Sequence, residues 1–253
     1  MPPMKNEERF SNRAELYLKY RPSYPDVLLQ LLEQEAGFSP SSCIADIGSG
    51  TGFSSELLLK CGCKVFGVEP NDAMRQIAEG YLKHYPEFVS QKGSAGKTLL
   101  PNQSVDGILC AQSFHWFHDS ATLQEFRRIA RPDAKLAIVW YDRDEAHPFQ
   151  QAYQELIDRY AIDYQLISHK QISDEEISTF FGHSGYQKFI IPHEQRLDLD
   201  GLIGRTLSCS YMPNEHSVNY VEMLDAVRSL FSRFEEDGIL IFAYVLRIYI
   251  GLV

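Results

Sequence analysis

Asp46-Ile47-Gly48-Ser49-Gly50-Thr51-Gly52 begins at the end of the mainly apolar run Cys43 to Ile47 and precedes the helical pattern Phe53 to Lys60. Glycine lets a backbone turn sharply and pass close to a ligand with no Cβ in the way. A buried strand, a glycine-rich turn and a helix, in that order, form the junction at which doubly wound sheets bind ligands. A glycine turn without a ligand is the plainer alternative. Three alternate glycines with an acid at the strand end argue against it.

Working outward, the pattern alternates. Lys64 to Val68 reads as a strand and Asp72 to Lys83 as a helix. Further strands are expected at Phe88–Gln91, Val105–Cys110 and Lys135–Trp140, with a helix at Ala121–Ala130. Such alternation implies a parallel sheet covered by helices on both faces. Upstream, Asn6 to Tyr20 carries Phe10, Ala14, Tyr17 and Leu18 at helical spacing and stops at Arg21-Pro22. Pro25 opens a second helix that ends at Gly37, a common helix terminus. Downstream, helices are expected at His147–Tyr160, Asp174–Phe181 and Ser217–Phe234, and strands at Gln187–Ile191 and Ile239–Ile250. The stretch from about 195 to 236 reads as a helical insertion between the last two strands. About 40 residues rarely make a core alone, so it is expected to cover a substrate site rather than form a domain.

Which nucleotide the loop would take turns on spacing. A dinucleotide fingerprint needs glycines at 48, 50 and 53, but residue 53 is Phe. The third glycine falls at 52 instead, and no Gly-Lys-Ser or Gly-Lys-Thr follows, which excludes a P-loop. The next strand ends at Glu69, 17 residues beyond Gly52, where a carboxylate can accept from both hydroxyls of a ribose. Dinucleotide sites share this acid, so Glu69 alone does not discriminate.

Asp46 to Gly52, Glu69 and their surroundings resemble the motifs of class I S-adenosylmethionine-dependent methyltransferases. The resemblance implies S-adenosyl-L-methionine as cofactor, with Asp46, Gly48, Ser49, Gly50 and Gly52 along its methionine part and Glu69 on its ribose. It continues through Pro70, Asn71 and Met74, the last either against the adenine or simply a buried helix residue facing the sheet. Three segments narrow it. Arg21-Pro22-Ser23-Tyr24-Pro25, Gly93-Ser94-Ala95 and Ala111-Gln112-Ser113-Phe114-His115-Trp116-Phe117 resemble those of the trans-aconitate methyltransferase-like group. Together they cover about residues 7–141, and Gly96 departs from the glutamate common in that group. The implied fold is α/β, a Rossmann-like doubly wound sheet of seven strands, mostly parallel with the last antiparallel. A single domain over 1–253 would divide into an N-terminal helical lid (1–40), a cofactor-binding core (41–141) and substrate-side helices with the last strands (142–253).

Methyl transfer needs a nucleophile aligned behind the methyl group, so positioning and water exclusion dominate. Ser94, Ala95 and Gln112 are expected at the cofactor, and Phe114 to Phe117 are expected to wall a substrate pocket, with Trp116 in contact. His115 is the candidate base, because its reference pKa lies near neutrality; packing in the wall is the competing role. His118 should be exposed. Tyr17 and Arg21 should fold over the cofactor, with Tyr24 beside the substrate. Arg21 and Arg205 are candidate anion sites through their planar forks, and Tyr211 would line the same cavity.

Composition bounds the function. The 253 residues are 44% hydrophobic and 23% charged, ordinary globular values. A net charge of −10 disfavours a phosphate-binding surface, and Arg127-Arg128-Ile129-Ala130-Arg131 reads as a solvated helix end. No Asn/Asp-Pro-Pro-Tyr tetrad or Pro-Cys nucleophile follows the fourth strand. A nucleic-acid partner is therefore not expected. No run approaches the ~20 apolar residues of a membrane span, and the polar N-terminus lacks a signal peptide's core. Cys43, Cys61, Cys63, Cys110 and Cys209, odd in number and scattered, suit a reducing compartment, and no metal is expected. A cytoplasmic enzyme methylating a small polar or acidic metabolite, at a carboxylate oxygen, is the leading expectation. A cofactor-binding regulatory module without turnover and a macromolecule-directed methyltransferase are the alternatives.

Overall fold

Seven strands assemble into one sheet whose order, β3-β2-β1-β4-β5-β7-β6, reverses direction between β1 and β4. The computed structural model describes residues 14–162 and 172–253. The part of the expected first helix before residue 14 lies outside the described residues. The strands are β1 Cys43–Ile47, β2 Lys64–Val68, β3 Phe88–Gln91, β4 Val105–Ala111, β5 Ala130–Arg143, β6 Gln187–Leu197 and β7 Leu240–Leu252. The helices are α1 Ala14–Tyr20, α2 Asp26–Leu31, α3 Phe53–Lys60, α4 Asp72–Tyr81, α5 Ser120–Ile129, α6 Pro148–Tyr160, α7 Asp174–Phe181, α8 Leu199–Leu207 and α9 Tyr220–Phe234. β1 to β5 run parallel, and β7 runs antiparallel to both β5 and β6.

The period of two along a strand explains why both faces are covered. Ala45, Ile108 and Ile138 enter one core with Phe114, Phe126, Trp140 and Phe180. Their chain neighbours Ile44, Leu109 and Val139 enter the other, with Leu28, Leu32, Phe38 and Leu58. Central strands buried on both sides read as continuous apolar runs, which is why the sequence marks them clearly. A third cluster joins α6, α8 and α9 to the outer end of β7 through Phe149, Tyr153, Leu202, Met223, Val227 and Phe242. The insertion thus shares its apolar surface with β7 and α6.

Several boundaries differ from the sequence reading. The second helix does not run uniformly to Gly37: after α2 the turns widen into a π-helix, Leu32–Ala36, before Gly37 closes it in the left-handed region. β5, β6 and β7 are longer than their apolar runs. Their ladder continues to Arg143↔Tyr244 and Leu197↔Leu240, carrying polar residues such as His193 and Gln195 into strand conformation. Backbone pairing with β7 satisfies these residues, whereas side-chain hydropathy gives no sign of it. The insertion therefore begins at Asp198, whose carboxylate caps α8 by accepting from Gly201 N at 2.7 Å. Among the described residues no helix is long and apolar enough to cross a membrane, and no group of three His, Cys, Asp or Glu is placed to hold a metal.

Candidate functional site

The loop after β1 is held from beneath by β2: Gly48 N and Ser49 N both donate to Val68 O, at 2.8 and 3.3 Å. Gly48 has φ 69°, and a Cβ there would lie 2.6 Å from Ser113 Cβ. Ser113 in turn donates its hydroxyl to Ile47 O at 2.6 Å. The turn and the segment after β4 are therefore packed backbone to side chain, with no room for a larger residue. Gly50 differs. It has φ 57°, but a Cβ there would meet nothing within 4 Å. Gly50 lines a cavity of about 550 Å³ at the crevice where the sheet reverses.

Glu69 follows β2 and is buried. Its two carboxylate oxygens accept from Gly50 N at 3.0 Å and Asn71 N at 2.8 Å. Burial raises its pKa, and those two backbone donors oppose the rise. Glu69 therefore braces the glycine loop as well as facing the cavity. Asn71 caps α4 by accepting from Met74 N at 3.0 Å, which sets Pro70, Asn71 and Met74 along one wall. Ser94, Ala95 and Gly96 continue that wall in a turn closed by Ser94 and Lys97.

After β4, Gln112 takes φ 60°, a left-handed conformation unusual for a side-chain-bearing residue and typical of functional sites. Its N–H donates to Val139 O at 2.8 Å, so the kink is pinned to β5. Gln112, Ser113, His115, Trp116 and Phe117 line the cavity. Phe114 does not. It is fully buried, with its ring 4.8 Å from that of Phe180, because the short 3-10 turn Phe114–Trp116 directs it into the core. His118 is exposed, 4.0 Å from Glu176.

The N-terminal segment supplies part of the cavity wall. Tyr17, Arg21, Pro22 and Tyr24 line the cavity. The Arg21 guanidinium lies 4.8 Å above the Tyr17 ring, and its Nε donates to Ser208 Oγ at 3.0 Å. Tyr24 stacks on Tyr141 at 5.3 Å, and the Tyr141 hydroxyl donates to Ser23 O at 2.7 Å. On the far wall Arg205 is only 5% exposed. It donates from Nε to Tyr244 Oη at 2.8 Å and from Nη1 to Cys209 Sγ at 3.0 Å, and lies over the Phe242 ring. It pairs with no carboxylate among the described residues. Burial raises the Cys209 thiol, but the guanidinium groups of Arg21 and Arg205 outweigh it and bring the thiol below its ordinary value.

The structure thus brings together Gly48, Ser49, Gly50, Glu69, Pro70, Asn71, Met74, Ser94, Ala95, Gln112, His115, Trp116, Tyr17, Arg21, Tyr24, Arg205 and Tyr211. Two expected residues stand back. Gly52 caps α3, where a Cβ would meet Leu82 at 2.8 Å, and does not reach the cavity. Asp46 is fully buried behind the loop, where its carboxylate accepts from the Ser54 and Ser55 hydroxyls at 2.7 and 2.6 Å. Its part is to tie β1 to the start of α3. Thr51, Phe53 and Ser54 line the cavity from that helix start, and Tyr141, Arg143, Ser210 and Tyr244 from the long antiparallel strands and the insertion. Sequence reasoning missed Tyr141 and Arg143 because it ended β5 before Tyr141, and it missed Tyr244 although it placed that residue in a strand. The alternation Phe242, Tyr244, Leu246 within an apolar run was the available signal.

Burial lifts the Asp46 carboxyl from 3.8 to about 6, against the two serine hydroxyls that lower it. A folded-state pKa above the unfolded value means that the folded chain holds the proton more tightly. Stability is then greatest below the unfolded value and falls as pH rises through about 6. Asp46→Asn removes that penalty, so its stability relative to the parent should grow by about 2 kcal/mol between pH 4 and 7.5. Urea melts across that range measure the difference. A pH-independent difference would contradict a buried ionisable Asp46.

Comparisons with known proteins bear on this geometry. Residues 45–138 match the family model described as a methyltransferase domain. An uncharacterized methyltransferase-like protein of Schizosaccharomyces pombe is 30% identical over 148 residues, 58% of this chain and 57% of that protein. An uncharacterized methyltransferase of Mycobacterium bovis is 31% identical over 150 residues, 59% of each chain. The chain thus spans under two thirds of the length of these relatives. A SAM-dependent methyltransferase from Aquifex aeolicus superposes with TM-score 0.55 at 18% identity, covering 95% of this chain and 98% of that one. A structure from Anaeromyxobacter dehalogenans superposes with TM-score 0.63 at 23% identity, covering 92% and 97%.

Proposed function

We propose that this chain, whose residues 45–138 match a methyltransferase domain, transfers the methyl group of S-adenosyl-L-methionine to a small anionic metabolite, at a carboxylate oxygen. The cavity fits that cofactor on its own chemistry. Gly50 leaves open space above the loop, and Glu69 presents buried carboxylate oxygens beside it. When bound, the cofactor supplies a methyl group made electrophilic by a sulfonium. Gly48, Ser49 and Gly50 would hold its methionine part close to the backbone, Glu69 its ribose, and Met74, Ser94 and Ala95 its adenine.

The observation that carries the substrate class is Arg205, a buried guanidinium at the cavity wall with no carboxylate partner among the described residues. A buried cation is costly unless an anion pairs with it. Arg143 lines the same wall, so an incoming carboxylate would meet two forks there. A carboxylate is already ionised near neutral pH, since its reference pKa is about 4. Its oxygen carries the electron pair for the new bond, and no proton must leave. His115 then has only to position the acceptor from the wall, and Tyr24 and Tyr141 exclude water. The test is a screen of acidic and neutral metabolites for S-adenosylhomocysteine release, with mass spectrometry of the product. Turnover on carboxylic acids and none on their amides is the expected result. Turnover confined to neutral amines or alcohols would remove the carboxylate assignment.

A further inference from the structure

Arg205 does not stand alone. Its Nε donates to Tyr244 Oη at 2.8 Å, Tyr244 Oη donates to Gln195 Oε1 at 3.2 Å, and Gln195 Nε2 donates to Tyr20 O at 3.0 Å. This chain of bonds runs from the cavity wall, through strands β7 and β6, to the backbone of the N-terminal segment. Its polarity is fixed at the far end. The Tyr20 carbonyl can only accept, so the Gln195 amide must turn its nitrogen there and its oxygen toward Tyr244. The Tyr244 hydroxyl then donates its single proton to that oxygen and keeps a lone pair for Arg205 Nε. The opposite amide orientation would set two acceptors face to face at Tyr20. Packing follows the same route: the Tyr20 ring lies so close over Gly204, next to Arg205 in α8, that a Cβ there would be 2.4 Å from it.

We propose that Gln195, which does not line the cavity, is a positioning residue that locks the Arg205 fork only while the N-terminal segment lies closed, so that anion site and closing segment act as one unit. This rests on reading Arg205 as the anion site of the proposed methyl transfer. When the segment lifts, Gln195 loses the carbonyl that orients it, and Tyr244 is free to turn its proton toward Arg205. An anion that prefers the ordered fork therefore favours the closed segment, and closure favours the anion, as linkage requires.

Hydrogen exchange on the full-length, ligand-free chain tests this, read on peptides covering residues 17–25 against peptides from β1 and β4. Gln195→Glu keeps the size of the side chain and its acceptor for Tyr244 but has no donor for Tyr20 O. Tyr244→Phe removes one oxygen atom. Each is expected to speed exchange of the segment about 5- to 30-fold, with β1 and β4 unchanged. The double variant should be no faster than the faster single, because both cut one chain of bonds. Arg205→Lys, which keeps charge and loses Nε, should likewise fail to multiply with Gln195→Glu. Ser208→Ala removes the acceptor of Arg21 Nε, a bond outside this chain, and should multiply with it. Wild-type exchange in Gln195→Glu, or multiplication of Gln195→Glu with Tyr244→Phe, would overturn the proposal. Should Tyr244→Phe also loosen β1 and β4, the pair of Gln195→Glu with Arg205→Lys decides by the same criterion. Failure of the wild type to bind S-adenosylhomocysteine would sink the methyltransferase reading without moving these exchange rates.

Discussion

Glu69→Ala is expected to weaken S-adenosylhomocysteine binding by at least 10-fold and up to about 150-fold, the range set by hydrogen bonds of roughly 1.5–3 kcal/mol to a charged acceptor. The effect should sit at the upper end, because the carboxylate has two tasks. It faces the cavity, and it holds Gly50 N and Asn71 N in place. Glu69→Gln separates them: one amide oxygen can still accept from one backbone N–H, while its nitrogen faces the other donor. The Gln variant should therefore lose nearly as much affinity as Ala, with a native circular dichroism spectrum in both. Isothermal titration gives the affinities. Unchanged binding in a folded Ala variant would remove Glu69 from the cofactor site.

Arg205→Met is expected to lower kcat/KM by about 30- to 5,000-fold for an acidic substrate found in the release screen. Truncating one partner of a buried, hydrogen-bonded charge pair typically costs about 2–5 kcal/mol. Arg205→Lys keeps the charge but not the fork, and should still lose at least about tenfold. Both should leave S-adenosylhomocysteine binding within about threefold, since Arg205 lies on α8 and the cofactor wall is built from the segments that follow β1, β2, β3 and β4. Steady-state kinetics paired with titration make the comparison. An equal loss in kcat/KM and in cofactor affinity would mean that Arg205 serves the fold rather than the substrate.

What the sequence made legible follows from how each part is stabilised. β1, β2 and β4 are largely buried on both faces, so each reads as a mainly apolar run whose ends the sequence marks to within a residue. Gly48 needs glycine for reasons of space and Gly50 for its left-handed φ of 57°, and the pattern shows both directly. Glu69, Asn71 and Met74 follow from the same junction. Arg143 was not legible, because it lies at the end of β5, where backbone hydrogen bonds to β7 rather than hydropathy carry the strand onward. Asp46 was placed in the right loop but given the wrong neighbour. An acid after a strand can face a ligand or a helix start, and only the positions of Ser54 and Ser55 distinguish the two. Phe114 was misplaced for a related reason: within the turn Phe114–Trp116 successive side chains diverge, so one aromatic run supplies both core and cavity.

The cofactor assignment is the premise of everything that follows from the cavity, and calorimetry on the wild-type chain tests it most directly. The geometry of Gly48, Gly50 and Glu69, with Phe53 where a dinucleotide site would have glycine, predicts one-to-one S-adenosylhomocysteine binding in the micromolar range. NADH should neither bind nor compete at millimolar concentration. Saturable NADH binding with no heat from S-adenosylhomocysteine would contradict the account.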